Sequence, residues 1–430
     1  ANEGGYYSMS QSTKEQTNFN AQFIANKSFD KWSFNGFIRG EYYNNIQQYS
    51  KLNTNGGLTI PGQYFINNSK NNVGYEGYIT GQKRMYSVAS QISASWDDQF
   101  YVDVTGRNDW SSSLVYSDGH GTFSYFYPSV SGSWLVGNTF QLPSWISFLK
   151  LRGSWAQVGN DTDSYIINTA YSLGKSNTSS GQVSSLSLSD TMYDYNLKPE
   201  QKNAWETGID LRMLENRINI DLAYYKENTR NQIMSIAVPY VSGISKQLVN
   251  AGNIQNQGIE LAINTIPFRN KDWEWGVDFT YTKNENKIIS LHENVADYIA
   301  LDGDVAYGNY RVGSVAKTGA SCGKIAIDEK TGLPSLYWQD SKRTAFYNRS
   351  GKAEVVGSLV PDFLGSVATS LSYKNWSLRA SFDMRFGGYV ASYGSRYGTS
   401  YGFTNASLKN TSPERGGVTW TSKFDNKTYH

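Results

Sequence analysis

The chain has 430 residues, with 39 basic and 37 acidic side chains for a net charge of +2, 15% aromatic residues and a single cysteine, Cys322. That balance lacks the basic excess of a nucleic-acid binder, one thiol excludes an intrachain disulfide scaffold, and disordered chains are poor in aromatics. A mean hydropathy of −0.52 and the lack of a long unbroken apolar run exclude a spanning helix. They do not exclude a transmembrane barrel, whose strands alternate lipid-facing and lumen-facing residues and average towards zero.

From the amino end, two-residue alternation predicts strands over 17–27, 32–43, 85–96, 99–109, 123–136 and 147–158, then 204–213, 217–225, 256–268, 272–282, 363–373 and 376–386. Period two means strand, because successive side chains point to opposite sides of a sheet. In 272–282, Trp273, Trp275, Val277, Phe279 and Tyr281 share one face, against Glu274, Asp278 and Thr280 on the other. In 376–386, Trp376, Leu378, Phe382 and Phe386 alternate with Arg379, Asp383 and Arg385. Most of these segments are about ten residues long, which suits a tilted strand crossing a bilayer better than a globular strand.

The connections alternate in length. Short turns are expected at 27–32, 96–99, 213–217, 268–272 and 373–376, and long polar loops over 44–84, 110–122, 159–203, 229–255, 285–362 and 387–430. Short turns at one end and long loops at the other form the pattern of an outer-membrane barrel, with the long loops outside the cell. Aromatics at strand ends (Trp32 with Tyr42 and Tyr43, Trp96, Trp134, Trp273, Trp376 with Phe386) suit the two interfacial girdles of such a wall. If the apolar face meets lipid, then Arg107, Asp109, Asp210, Arg212, Asp221, Glu260, Glu274, Asp278, Arg379, Asp383 and Arg385 line the interior. The fold expected is all-β, an antiparallel up-and-down transmembrane barrel of which these residues supply part of the wall. A passive porin would share the same pattern, and a soluble carbohydrate-binding β protein is a more distant alternative.

Five stretches carry a resemblance: DVTGRNDWSSSL (103–114), LKLRGSWAQVGND (149–161), NLKPEQKNAWETGIDLRMLENRINIDLAYYKENTRNQIMSIAVP (196–239), NAGNIQNQGIELAINT (250–265) and GSLVPDFLGSVATSLSYKNWSLRASFDMRFGG (357–388). In combination and order they resemble the barrel of SusC/RagA-type TonB-dependent outer-membrane transporters. The resemblance implies a barrel of about twenty-two strands around a plug, with the plug, its TonB-contacting segment and the closing strands outside these residues. It implies a SusD-like surface lipoprotein as a hinged lid, energy from the TonB complex, oligosaccharide or peptide cargo, and pairing of two transporter–lid units in the outer membrane of a Gram-negative cell. It implies no cofactor.

Signs of catalysis are thin. His120, His292 and His430 fall in loops or at the chain end, outside any nucleophile-elbow pattern. No HExxH and no paired Cys or His at zinc spacing occurs. The segment GYEGYITG (74–81) lacks the lysine of a phosphate loop. The acidic clusters at 161–163 and 302–304 do not match a calcium loop and are expected to be solvated. In YVASYGSRYGTSYGF (389–403), Tyr389, Tyr393, Tyr397 and Tyr401 recur every fourth residue. They suit an aromatic platform for cargo, although packing against the barrel rim or the lid is the favoured reading.

Overall fold

The computed structural model describes residues 5–168, 171–178, 181–238, 243–290, 298–302, 305–308, 312–314, 326–333, 335–339, 344–348 and 360–388, with a few positions beyond. Twelve strands form one sheet in chain order: β1 (Ser8–Phe29), β2 (Trp32–Leu58), β3 (Ser69–Trp96), β4 (Phe100–Ser111), β5 (Ser124–Leu135), β6 (Ile146–Asn160), β7 (Glu200–Met213), β8 (Ile218–Arg230), β9 (Asn253–Arg269), β10 (Trp273–Ser290), β11 (Phe363–Tyr373) and β12 (Trp376–Phe386). Each matches one predicted segment. Among the described residues β1 and β12 are the edges of this sheet. By contacts the chain divides into two compact units, one of residues 1–253, 257–280 and 368–380, the other of 254–256, 281–367 and 381–430.

The turns at one end are tight because their residues accept a left-handed backbone. Asp30 (φ 48°), Asp97 (52°), Asp98 (51°) and Lys374 (48°) all occupy that region, which aspartate tolerates better than most side chains. Neighbouring turns are tied together: Lys31 Nζ lies 2.8 Å from Asp97 Oδ2, and the Asp97 amide donates to the Lys31 carbonyl at 2.7 Å.

In the first unit the strand register carries one apolar face from β1 to β8, since residues paired across an antiparallel ladder point the same way. Near the tight turns one row pairs Phe29 with Trp32, Trp32 with Trp96, Trp96 with Phe100 and Phe100 with Trp134. A second row pairs Phe19 with Tyr42, Tyr42 with Tyr86 and Tyr86 with Trp110. On each of β1 to β4 ten residues separate the two rows. At ~3.4 Å per residue and a tilt of roughly 45°, that spacing is about 24 Å, the height of the apolar band of an outer-membrane barrel. Rings stack along the lower row, Trp32 on Phe34 at 5.7 Å and Phe100 on Trp134 at 5.7 Å. Tyr43 departs from expectation. It pairs with Asn18 on the opposite, polar face and accepts from Gln16 Nε2 at 2.8 Å.

The apolar face is bare. Phe23 is 71% exposed, Ile92 63% and Trp376 79%, whereas a soluble sandwich would seal such residues inside. The buried hydrophobic cluster sits instead in the segments between strands: Leu114, Tyr116, Ile167 and Leu197, packed by Tyr125, Tyr193, Ile233 and Leu248. In the second unit, Tyr281 packs on Phe363 at 5.3 Å and Phe363 on Phe386 at 4.6 Å.

The expected loop over 44–84 is mostly strand. β1, β2 and β3 run for 22, 27 and 28 residues, well past the upper aromatic row. Beyond that row the alternation of oily and polar residues stops, as in Gln47, Gln48, Ser50 and Lys51, because a strand in water has no lipid to face. The backbone ladder continues without it. Within this extension Gln47 pairs with Gly81 and Gln48 with Ile79, so Thr80 is an extra residue in β3. Other long connections carry small sheets of their own, including the hairpin Tyr171–Thr178 with Gly181–Leu188 and the trio Thr191–Tyr193, Ile233–Ala237 and Lys246–Asn250. The segment 74–81 lies within β3, in no loop.

Candidate functional site

The polar face of the wall collects the charges. Arg107 on β4 reaches across β3 to β2: its Nε donates to Asp109 at 2.7 Å, Nη2 to Ser87 at 2.8 Å and Nη1 to Glu41 at 3.3 Å. Arg152 on β6 makes the same reach over β7 to β8, donating to Asp221 through Nη2 at 2.8 Å and Nη1 at 3.2 Å. In both cases the residue under the guanidinium is small, Ser87 in one and Gly208 in the other. A Cβ built on Gly208 would lie 2.7 Å from Arg152 Cζ. A side chain at Gly208 would therefore make the guanidinium shift from its present position. A charge-assisted fork of this kind holds two strands that do not themselves touch.

Further towards the tight turns, Asp210, Arg212, Asn216, Asn219, Asp221 and Asn264 line an open recess of about 520 Å³. Arg212 lies over the Phe148 ring at 4.8 Å and 3.5 Å from Asp210. Asp278 on β10 accepts from Asn264 at 2.8 Å. Trp275, on the other face of the same strand, donates through Nε1 to Thr369 at 2.8 Å. Arg379, Asp383 and Arg385 alternate with Leu378, Phe382 and Phe386 on β12 and are exposed. The structure thus brings Arg107 and Asp109 into one cluster, with Glu41 and Ser87 that the sequence did not single out. Asp278 makes its contacts separately.

At the far end of the polar face, Asp161 overturns one expectation. Its side chain is 6% exposed and meets both Lys83 Nζ and Ser111 Oγ, so it is no solvated loop carboxylate. The physical reason is the unpaired lysine it would otherwise leave at the top of β3. The cluster at 302–304 falls largely outside the described residues. Of the four tyrosines, Tyr397 is 51% exposed, and Tyr389, Tyr393 and Tyr401 lie outside the described residues, as do His292, His430 and Cys322.

His120 is held more closely than its sequence context suggested. Its ring stacks on Tyr116, 4.2 Å between centroids, and on Tyr195, 4.1 Å, the two tyrosine rings themselves lying 5.9 Å apart. Nδ1 meets Asp118 Oδ1, and Nε2 lies 2.9 Å from the Tyr195 carbonyl. The Tyr195 carbonyl, followed by Asp118, raises the imidazole above its ordinary value, while His120 lowers the Asp118 carboxyl. Both ring nitrogens are occupied, which leaves no free base for catalysis. The DGH spacing at 118–120 was the available signal, but Tyr195 comes from 75 residues away.

Comparison with known proteins follows the same lines. The family model "TonB dependent receptor-like, beta-barrel" matches residues 1–409. The TonB-dependent receptor P3 of Formosa agariphila is 24% identical over 397 residues, covering 86% of this chain and 38% of that protein. The TonB-dependent receptor SusC of Bacteroides thetaiotaomicron is 24% identical over 359 residues, covering 77% of this chain and 34% of that protein. Among solved structures, the RagAB peptide importer in its closed-closed state superposes with a TM-score of 0.72 at 21% identity, over 89% of this chain and 42% of that chain. The chain therefore spans between a third and about two fifths of the length of these relatives.

Proposed function

This chain belongs to the TonB-dependent receptor-like β-barrel family, and from that premise we propose that it forms part of the wall of an outer-membrane importer for oligosaccharides or peptides. The observation that carries this reading is the division of faces: an apolar face in register across eight strands, bounded on β1 to β4 by two aromatic rows, backed by a face of bridged charges. Charges turned to lipid at mid-bilayer would cost about 2–4 kcal/mol each. Turned inward, Arg107, Asp109, Asp278, Arg379, Asp383 and Arg385 line a wet lumen.

In this reading the long connections lie outside the cell and the tight turns in the periplasm. The edges of β1 and β12 pair with further strands, because unpaired amides in hydrocarbon cost several kcal/mol each. Cargo is captured between the outer segments, including the Tyr389 to Tyr401 run, and a SusD-like lipoprotein lid. It is released inward when the TonB complex acts on a plug supplied by other parts of the protein. Two such pairs associate. The RagAB importer is named for peptides, which supports the peptide class, and the oligosaccharide class rests on the resemblance to SusC/RagA-type transporters. The family is one of transporters and supports no enzymatic role.

Uptake of fluorescent oligosaccharides and peptides by cells carrying the full-length protein tests the proposal. Import of one class is expected, and it should stop when TonB is removed. Uptake that persists without TonB would mean a passive pore and reject the reading.

A further inference from the structure

The Tyr116–His120–Tyr195 stack joins two segments far apart in sequence. One is the connection after β4, residues 112–123, and the other is the approach to β7, residues 189–199. Tyr116 is buried in the hydrophobic cluster with Leu114, Ile167 and Leu197. Its hydroxyl accepts from the Leu197 amide at 3.1 Å and donates to the Asp194 carbonyl. Tyr195 packs against both rings, 4.1 Å from His120 and 5.9 Å from Tyr116, its hydroxyl donating to Asp118 Oδ2 at 3.2 Å. A third segment, the part of the connection after β6 around Asn168, is fixed to the first: Asn168 accepts from the Ser117 amide at 2.8 Å and donates to the Val115 carbonyl at 3.0 Å.

Donor counting gives this stack a second property. A neutral imidazole has one N–H, whereas an imidazolium has two. Here both ring nitrogens face acceptors, the Asp118 carboxylate on one side and the Tyr195 carbonyl on the other. Only the doubly protonated ring satisfies both, and loss of either proton sets a lone pair against an oxygen. Asp118 is committed as well, accepting from the His120 amide at 3.1 Å and from the Tyr195 hydroxyl. The groups facing the imidazole are Asp118 and Tyr116 from its own segment and Tyr195 from the other. Asp194, the next acidic group, turns its carboxylate to the Asn196 amide at 3.0 Å.

We propose that this stack is a pH-sensitive latch between the two segments, closed while His120 carries both ring protons and loosened when it loses one. Its placement outside the cell rests on the orientation proposed above; the latch itself rests only on this geometry. The direction follows from both partners. The His120 contribution is complete below the ordinary imidazole value of 6.5 and fades as pH rises through its raised value. The Asp118 contribution is complete above the ordinary 3.8 and fades as pH falls through its lowered value. The latch is tightest in the mildly acidic window between them.

Hydrogen–deuterium exchange on the full-length protein in detergent, corrected for intrinsic rates, reads the latch directly between pH 6 and pH 9. Peptides covering 112–123 and 189–199 should lose protection by about three- to tenfold as pH rises, the range for one net hydrogen bond. In His120→Gln the protection of both should not change with pH. Asp118→Asn should move the midpoint of the loss to lower pH, and it keeps the test open if the first variant does not fold by its unheated gel mobility. Flat wild-type protection, an unaltered pH response in His120→Gln, or an unmoved midpoint in Asp118→Asn would each overturn the latch. None of these results bears on import, which the uptake experiment decides separately.

Discussion

At the scale of single residues, the arginine that spans a strand is the device with the clearest consequence. Arg152 reaches Asp221 by lying directly over Gly208, where any side chain would press on its guanidinium. Gly208→Val should displace the guanidinium and cost about 1–3 kcal/mol, the worth of a charge-assisted pair, seen as a lowered urea midpoint for the folded protein. In that background Arg152→Met should add little, since the two changes remove the same interaction. Alternation alone placed Arg107 and Asp109 on the polar face. It left Glu41 and Arg152 unremarked, because an ion pair that crosses an intervening strand depends on register, and register is set by turns and bulges that period two does not encode. His120 was illegible for a related reason, since its second partner is a backbone carbonyl on a distant connection.

At the scale of strands, legibility follows the solvent. Every predicted segment matches a strand of the sheet where the chain faces oil on one side and water on the other, as in β4, where Val102 and Val104 alternate with Asp103 and Thr105. Above the upper aromatic row that contrast vanishes, and the extensions of β2 and β3 read as loop. The two faces of β4 should therefore respond very differently to one charge. Val104→Arg, between the aromatic rows on the apolar face, is expected to cost about 2–4 kcal/mol, and Thr105→Arg on the polar face much less, since a wet face tolerates the charge. Urea titration in lipid vesicles would measure both. Equal costs would mean that the two faces share one environment.

At the scale of the whole molecule, the inside-out distribution of residues decides the environment: bare rings on the wall, and a buried core lodged in the connections. Family membership agrees with that distribution, and the residues alone had already pointed to it. Orientation can be tested directly. With Cys322 replaced by serine, a cysteine at Tyr75 in the β3 extension should react with an impermeant maleimide on intact cells. One at Asn375 in the β11–β12 turn should react only after lysis, and the reverse pattern would invert the proposed topology. The extra residue at Thr80 bears on that outer extension in a further way. Below it the even-numbered side chains of β3 share the face of Tyr86; above it the odd-numbered ones do, so Tyr75 lies on that side and Tyr78 pairs with Tyr49 on the other. Deleting Thr80 alone would bring Gly81 and Ile79 together opposite Gln47 and Gln48, leaving the membrane-crossing half of the strand untouched and every residue beyond on the side its β2 partner sets. A single added amino acid is thus absorbed as an unpaired residue, so the outer part of this hairpin can change its length while β2 keeps the facing of the part that must satisfy lipid.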